Sequence, residues 1–315
     1  MNQLPFEGNE FEEQDPFNHN LVRGIISRDR NIYYGALYIT HVNGTAVQPQ
    51  LIMCVTKMHY QFTPDCQYRF PSARDITIWE KLDGTSVFAY RYYDSHGTRF
   101  ISYKTRLKPF LSDVSRWGTF YSMWMEMLQK YDVTKTVVSS GYNLAFELTG
   151  SRNKHLIEYP YPLDATLLFG VGLKGEIIPP HLIQTDLPLP RQFPTINRDY
   201  VYNYQEMQRE LGENLQETET GFMGAEGTVW YLEATDGRVI QLKCKSSQVQ
   251  DIHFGAADTI PYHSIVSTCW NALENGLITR EIVQELLLEE YSQVAIDKHW
   301  TRIDKAIAQV YAEVE

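Results

Sequence analysis

The chain has 315 residues, 43% hydrophobic and 21% charged, a composition ordinary for a globular protein that buries a sizeable core. Its formal net charge of −11 excludes a protein that grips nucleic acid by bulk charge, and no apolar run nears the ~20 residues of a membrane span, so no membrane is expected among its partners. The four cysteines (Cys54, Cys66, Cys244, Cys269) lie far apart with no Cys-x-x-Cys pair, which predicts neither disulfides nor a zinc site and fits a reducing cytoplasm.

Residues 1–20, rich in Asn, Glu and Asp, are expected to form a flexible tail rather than a signal peptide. Residues 21–70 read as an N-terminal β-rich segment: Leu21–Ser27, Ile32–Thr40 and Leu51–Thr56 are Val/Ile/Tyr-rich and are broken by Asn43-Gly44 and Pro49. A substrate-recognition subdomain, an OB-like barrel or extra strands on a larger sheet all fit that segment. From Ile76 to Tyr103 the pattern is again β, with Ser95-His96-Gly97 as a hairpin turn. Inside it, Glu80-Lys81-Leu82-Asp83-Gly84 stands at a strand–turn–strand junction, between Ile76, Ile78 and Trp79 and the run Val87–Tyr90. Asp83 and Gly84 supply turn chemistry, and Gly84 would let a ligand approach the backbone. A lysine so placed becomes a nucleophile where its surroundings favour the neutral amine; alone, the element is equally a solvated hairpin. Arg91, Arg99, Lys104, Arg106, Lys108 and Arg116 follow, against only Asp94 and Asp113, so this strip is either a phosphate-binding face or a solvated one.

Asp113–Tyr131 changes to helical period, its stripe of Trp117, Phe120, Tyr121, Trp124, Met127 and Leu128 reading as core. Leu144–Leu148 and Thr166–Val171 read as buried strands, 179–194 as a proline-rich loop, and Asp199–Leu211 as a helix. Gly227–Leu232 and Arg238–Cys244 form a hairpin around Thr235-Asp236-Gly237. Helices are expected over His263–Leu273, Thr279–Glu290 and Val294–Val314. No internal repeat is present. The chain thus predicts an α+β catalytic domain over 71–255 and a small all-helical domain over 256–315.

Four elements after the lysine carry chemistry. Lys104 and Arg106 fall on one face of a strand, because alternate residues share a face. Phe146-Glu147-Leu148 sets a carboxylate in an apolar strand; Glu226-Gly227-Thr228-Val229 opens a strand with another; Lys243 and Lys245 again share a face. Each by itself reads as a strand-edge charge, a hairpin rim or a lysine pair in water. Their order together is far more specific.

That ordered set resembles the covalent nucleotidyltransferases, the superfamily of nucleic-acid ligases and messenger-RNA capping enzymes, over roughly residues 76–250. Lys81–Gly84 resembles motif I, Phe146–Gly150 motif III, Glu226–Val229 motif IV and Lys243–Lys245 motif V. Leu167–Val171 takes the place of motif IIIa, with Phe169 the aromatic that stacks on the purine. The phrase from Phe146 to Tyr159 and the Lys104/Arg106 pair look most like the phage-type RNA ligase 1 branch. The resemblance implies an ATP-grasp-like ligase domain of antiparallel sheets with helices. It also implies ATP as substrate with Mg²⁺ or Mn²⁺, and RNA ends as partners, from tRNA or another single-stranded nucleic acid, in a cytoplasm that includes that of a virus-infected cell. Lys81 would attack the α-phosphorus of ATP, the AMP would pass to a 5′-phosphate end, and a 3′-hydroxyl would displace it. Lys243 and Lys245 would help activate Lys81 and hold the α-phosphate. Glu147 would contact the ribose, Glu226 the metal, Glu80 the adenine through backbone or side chain, and Lys104 and Arg106 the phosphates, with Arg99 a rival. Lys57 would lie near the triphosphate, Asp83 would fix the turn, and His59 and His155 would be hydrogen-bonded fold elements. A DNA ligase or a capping guanylyltransferase is the alternative; both usually carry an OB domain after motif V, where this chain reads as helices. A non-enzymatic binding module is the third reading.

Overall fold

The computed structural model describes residues 4–29, 31–55, 58–60, 72–111, 114–115, 118–153, 155–194, 199–218, 221–246, 260, 262–274, 278–288 and 291–314. The first unit is an antiparallel meander of β1 (Asn9–Gln14), β2 (Leu21–Ile26), β3 (Leu37–Val42) and β4 (Thr45–Ile52). Two expectations change here. Residues 1–20 are not a flexible tail where they are described: β1 pairs with β2 along its length, and Asp15, wholly buried, accepts hydrogen bonds from Tyr92 Oη (2.7 Å) and Ser102 Oγ (2.9 Å). Pro49 does not end β4, because it falls where the β3–β4 register shifts, between the Ile39–Gln50 and His41–Ala46 pairs, and its missing N–H costs no ladder bond there. Asn43 and Gly44 do turn the chain, with φ of 53° and 74°, and join β3 to β4 as a hairpin.

Two five-stranded sheets form the body. One is ordered β13 (Ile177–Ile178), β12 (Asp164–Val171), β11 (Asn143–Thr149), β7 (Thr85–Tyr93), β8 (Arg99–Lys104). The other is β14 (Gln192–Phe193), β6 (Ala73–Lys81), β17 (Gly227–Ala234), β18 (Val239–Lys245), β5 (His59–Tyr60). So the 21–70 segment is divided: its end pairs with β18 in the body. Two-stranded ladders, β9 (Val114–Ser115) with β10 (Gly118–Thr119) and β15 (Gln216–Glu217) with β16 (Phe222–Met223), complete the strands.

Period-two alternation assigns the faces. Val87, Ala89, Leu144, Phe146 and Leu148 turn outward onto α1 (Phe120–Lys130) and α2 (Val133–Ser140). Ile76, Ile78, Trp230, Leu232, Leu242 and Cys244 turn outward onto α3 (Tyr200–Glu213). The residues between them, Phe88, Tyr90, Ala145, Trp79, Val229 and Tyr231, share an inner core with the first unit. Lys81, Glu147, Lys243 and Lys245 carry odd numbers on these strands and therefore belong to the inner side.

The predicted helix over 113–131 begins only at Phe120, after β9 and β10; Asp113, Arg116 and Trp117 lie outside the described residues. α2 was not legible: its β-branched run is helical because Asp132 caps it through Lys135 N and the apolar face docks on the sheet. The carboxyl-terminal unit has its own core, including Ile265, Cys269, Val283, Ile303 and Val310, built by α4 (Tyr262–Glu274), α5 (Arg280–Leu287), α6 (Gln293–Asp297) and α7 (Trp300–Val314). The expected helix over 294–314 is two helices, with the His299 ring bonded to Ala295 O (2.7 Å) at the break. No described helix is long and apolar enough to cross a membrane.

Candidate active site

The register of the second sheet assembles the charges. Gly227 at the start of β17 pairs with Lys81 at the end of β6 on one side and with Lys245 at the end of β18 on the other. Glu226, one residue earlier, is thereby set between two lysines. Its carboxylate bonds Lys81 Nζ and, at 2.7 Å, Lys245 Nζ. The Glu226 side chain is 3% exposed. Burial alone would raise its pKa, but the charges of Lys245 and Lys81 hold it well below the usual carboxylate range. Behind β18, Tyr204 Oη and Gln208 Nε2 on α3 donate to the carbonyls of Lys243 (2.8 Å) and Lys245 (3.1 Å), which fixes the backbone that presents both lysines.

The turn after Lys81 is clamped by the connection between β11 and β12. Asp83 accepts from the N–H groups of Leu156 (2.6 Å) and Ile157 (2.7 Å), and its own N–H donates to Tyr159 Oη (2.8 Å). Asp83 is thus a structural residue. Gly84 is required for a different reason from the expected ligand approach: a Cβ there would stand 2.1 Å from Leu148 O. Its N–H donates to Glu147 Oε1 at 3.0 Å. Glu147 is 9% exposed, and burial pushes its carboxyl up to about 8, offset in part by Lys81 and reinforced by Glu226 and Asp83. A pKa raised in the folded state means that folding holds an extra proton, so this contribution to stability is complete below 4.5 and is lost as pH rises toward about 8. Glu147→Gln is expected to flatten the decline of the unfolding midpoint across that window and to be the more stable form at pH 8. Parallel midpoint–pH curves for variant and parent would remove the buried neutral carboxyl.

Beside these groups, between the sheets, lies a cavity of about 350 Å³. Lys81, Arg106, Glu147, Phe169, Lys243 and Lys245 line it, as does Glu80. Leu168, Phe169, Val229 and Tyr231 give it an apolar wall. The Glu80 N–H is already bonded to Arg191 O (2.8 Å), and its half-buried carboxylate, raised in pKa by burial against the pull of Arg191, lies 3.7 Å from Arg191 Nε. Arg106 lies with its guanidinium 5.4 Å from the Tyr34 ring centroid, buttressed by the β2–β3 turn of the first unit.

Lys104 is not brought to the cavity. It is wholly buried, and its Nζ donates to Arg106 O (2.7 Å) and Gly35 O (3.0 Å) and contacts Cys54 Sγ (3.5 Å). Burial lowers its pKa. It ties the first unit to β8, where a phosphate-gripping role was expected; it and Arg106 diverge because β8 ends at Lys104. Arg99 is exposed at the far end of β8. Lys57 lies outside the described residues, as does the His59 side chain. His155 bonds Thr85 Oγ1 (3.2 Å), as a fold element should, yet also lines the cavity. Sequence reading missed Trp79 on β6 and Ser267, Trp270 and Asn271 on α4; alternation from Lys81 gives a signal for Trp79, whereas nothing local marks the α4 residues.

Among the described residues no group of three or more His, Cys, Asp or Glu side chains forms a metal cage. Glu226, the expected metal ligand, has its carboxylate engaged by Lys81 and Lys245, the two lysines that carry it to the cavity.

No family model and no curated protein matches the sequence. Solved structures do. An archaeal ATP-dependent RNA ligase, in its second form, superposes with a TM-score of 0.56 at 15% identity, covering 96% of this chain and 73% of that one. Its first form gives 0.56 at 15% identity, with 95% and 73% covered. A protein of Aquifex aeolicus named provisionally as an ATP-dependent DNA ligase gives 0.51 at 11% identity, covering 97% and 75%. The chain therefore shares the α+β fold of these ligase structures.

Proposed function

We propose that the chain is an ATP-dependent RNA ligase that joins 5′-phosphate to 3′-hydroxyl ends through a lysyl-AMP. The observation that carries this reading is the convergence of Lys81, Lys243 and Lys245 on one cavity whose other wall is apolar and aromatic. Such a space accepts a purine at one end and phosphates at the other. In the first step Lys81 Nζ forms a bond to the α-phosphorus, the bond to the β-phosphate oxygen breaks, and pyrophosphate leaves. The AMP then passes from Lys81 to a 5′-phosphate oxygen, giving a 5′–5′ pyrophosphate. Attack by the 3′-hydroxyl oxygen forms the phosphodiester and releases AMP. Lys243 and Lys245 neutralise the α-phosphate, Arg106 takes phosphate oxygens, Phe169 stacks on the base, Glu80 reads its edge and Glu147 holds the ribose. Positioning and charge neutralisation account for most of the rate, with no histidine base.

Glu226 would hold a Mg²⁺ or Mn²⁺ arriving with the nucleotide, which supplies charge neutralisation at the phosphates. The described elements after Lys245 are helices, which supports an RNA ligase over a capping enzyme. The likeness to the Aquifex protein keeps DNA joining as the second reading. The phage-type branch rests on the phrase from Phe146 to Tyr159, which the structure wraps around Asp83 and Thr85. The described cysteines, Cys54, Cys244 and Cys269, are free and buried, which supports the cytoplasm as the compartment.

The test is covalent labelling with α-labelled ATP and, separately, GTP in Mg²⁺, followed by sealing of 5′-phosphorylated RNA or DNA strands. Label from ATP and joined RNA are expected. Label from GTP alone moves the reading to capping chemistry, joined DNA alone to a DNA ligase, and no label from either to a binding module.

A further inference from the structure

The carboxyl-terminal unit does not stand apart from the cavity. Ser267, Trp270 and Asn271 of α4 all line it. Their spacing of three and four residues puts them on one helix face. Trp270 is 5% exposed and packs in the helical core, so the same side chain is both core and cavity wall, and the wall is tied to the bundle behind it. Ser267 and Asn271 beside it are exposed. α4 also packs against β9, in the stretch of chain that follows Arg106.

Two features of this face select a ligand. It adds a hydroxyl and a carboxamide, which donate hydrogen bonds without adding charge, to a cavity that already holds Lys81, Arg106, Lys243 and Lys245. The base has its own wall in Leu168, Phe169, Val229 and Tyr231, on the sheets rather than on α4. Hydroxyl and amide donors opposite a cluster of cations match the oxygens of a polyphosphate.

We propose that Ser267 and Asn271 contact the β- and γ-phosphates of the nucleotide, the part that leaves as pyrophosphate, and so act in formation of the lysyl-AMP. This rests on the lysyl-AMP reading above. It gives the helical unit a place in the first step.

The test uses the full chain carrying Ser267→Ala, Asn271→Ala or Asn271→Asp, each checked for an unfolding midpoint matching the parent. Three quantities are measured: label transfer from α-labelled ATP at subsaturating nucleotide, sealing of a strand that already carries its 5′-adenylate, and the half-reversing pyrophosphate concentration, at which reversal of the lysyl-AMP runs at half its maximal rate. One hydrogen bond to a charged oxygen corresponds to roughly a 10-fold effect. Label transfer is expected to fall by about that factor in the alanine variants and further in Asn271→Asp, whose carboxylate repels phosphate. The half-reversing pyrophosphate concentration is expected to rise in step, and the ratio of label transfer to sealing to fall. Equal losses in labelling and sealing overturn the proposal and make the α4 face a wall for the nucleic-acid end. An unchanged pyrophosphate requirement, or Asn271→Asp no worse than Asn271→Ala, also overturns it. A parent that takes no label sinks the function reading first and this proposal with it, whereas a labelled parent with parent-like variants sinks only this one.

Discussion

Lys81→Ala and Lys81→Arg are expected to abolish covalent labelling from α-labelled ATP, a loss of roughly 10⁴-fold or more. Three lysines line the cavity, so the choice among them has to be argued. Glu226 holds both Lys81 and Lys245, but the Lys245 side chain is only 6% exposed, while that of Lys81 is 18% exposed and precedes the turn whose Gly84 N–H bonds Glu147. The backbones of Lys243 and Lys245 are both pinned by α3, which suits groups that hold a phosphate still rather than one that forms and breaks a bond. Arginine keeps the charge opposite Glu226, so that variant should fold, but a guanidinium does not give up its proton in proteins and cannot attack phosphorus. Label remaining on Lys81→Ala above about a hundredth of the parent, mapped by peptide analysis to Lys243 or Lys245, would reassign the nucleophile.

Glu226→Ala should both destabilise the protein and remove activity. The carboxylate is the shared partner of two ammonium groups, one of them buried, and its loss removes the counter-charge common to both. Breaking a buried pair by removing one member costs on the order of 3–5 kcal/mol. The pH dependence has a defined sign. Because the folded-state pKa of Glu226 is depressed, its contribution is fully present above the ordinary value of 4.5 and is lost as pH falls below it. The gap in unfolding free energy between parent and Glu226→Gln is therefore expected to be level from neutral pH down to 4.5 and to close in more acidic solution. ATP should raise the unfolding midpoint of Glu226→Ala by more than that of the parent, since phosphate oxygens can replace the missing carboxylate. A variant as stable as the parent at neutral pH would show that the two lysines find other partners, and the ion pair would lose its place in the site.

The placement of four site candidates was legible: Lys81 from its turn element, Glu147 from its apolar strand, and Lys243 and Lys245 from strand alternation, and all four line the cavity. Phe169 followed only through the family resemblance, and the cavity does include it. Lys104 was misjudged by the same parity rule. It sits at the last residue of β8, and what decides its role is the β2–β3 turn arriving from far away in the chain to offer Gly35 O. The acidic run of β1 hid its strand, since Phe11 is the one residue of that strand that is buried. α2 was hidden by Val and Thr, whose weak helix preference is overridden by a cap and by packing.

By itself the sequence determined the α+β class, the strand–turn–strand setting of Lys81, the β17–β18 hairpin and the helical carboxyl-terminal unit, because each depends on local periodicity and turn residues. Tertiary structure alone decided three things: that Glu226 is paired with Lys81 and Lys245, that Lys104 ties two units together, and that α4 reaches the cavity of Lys81. Each of these joins residues distant in sequence whose meeting depends on register and docking. A charged side chain's partner is set by whichever distant group burial brings within reach, and no local pattern encodes that.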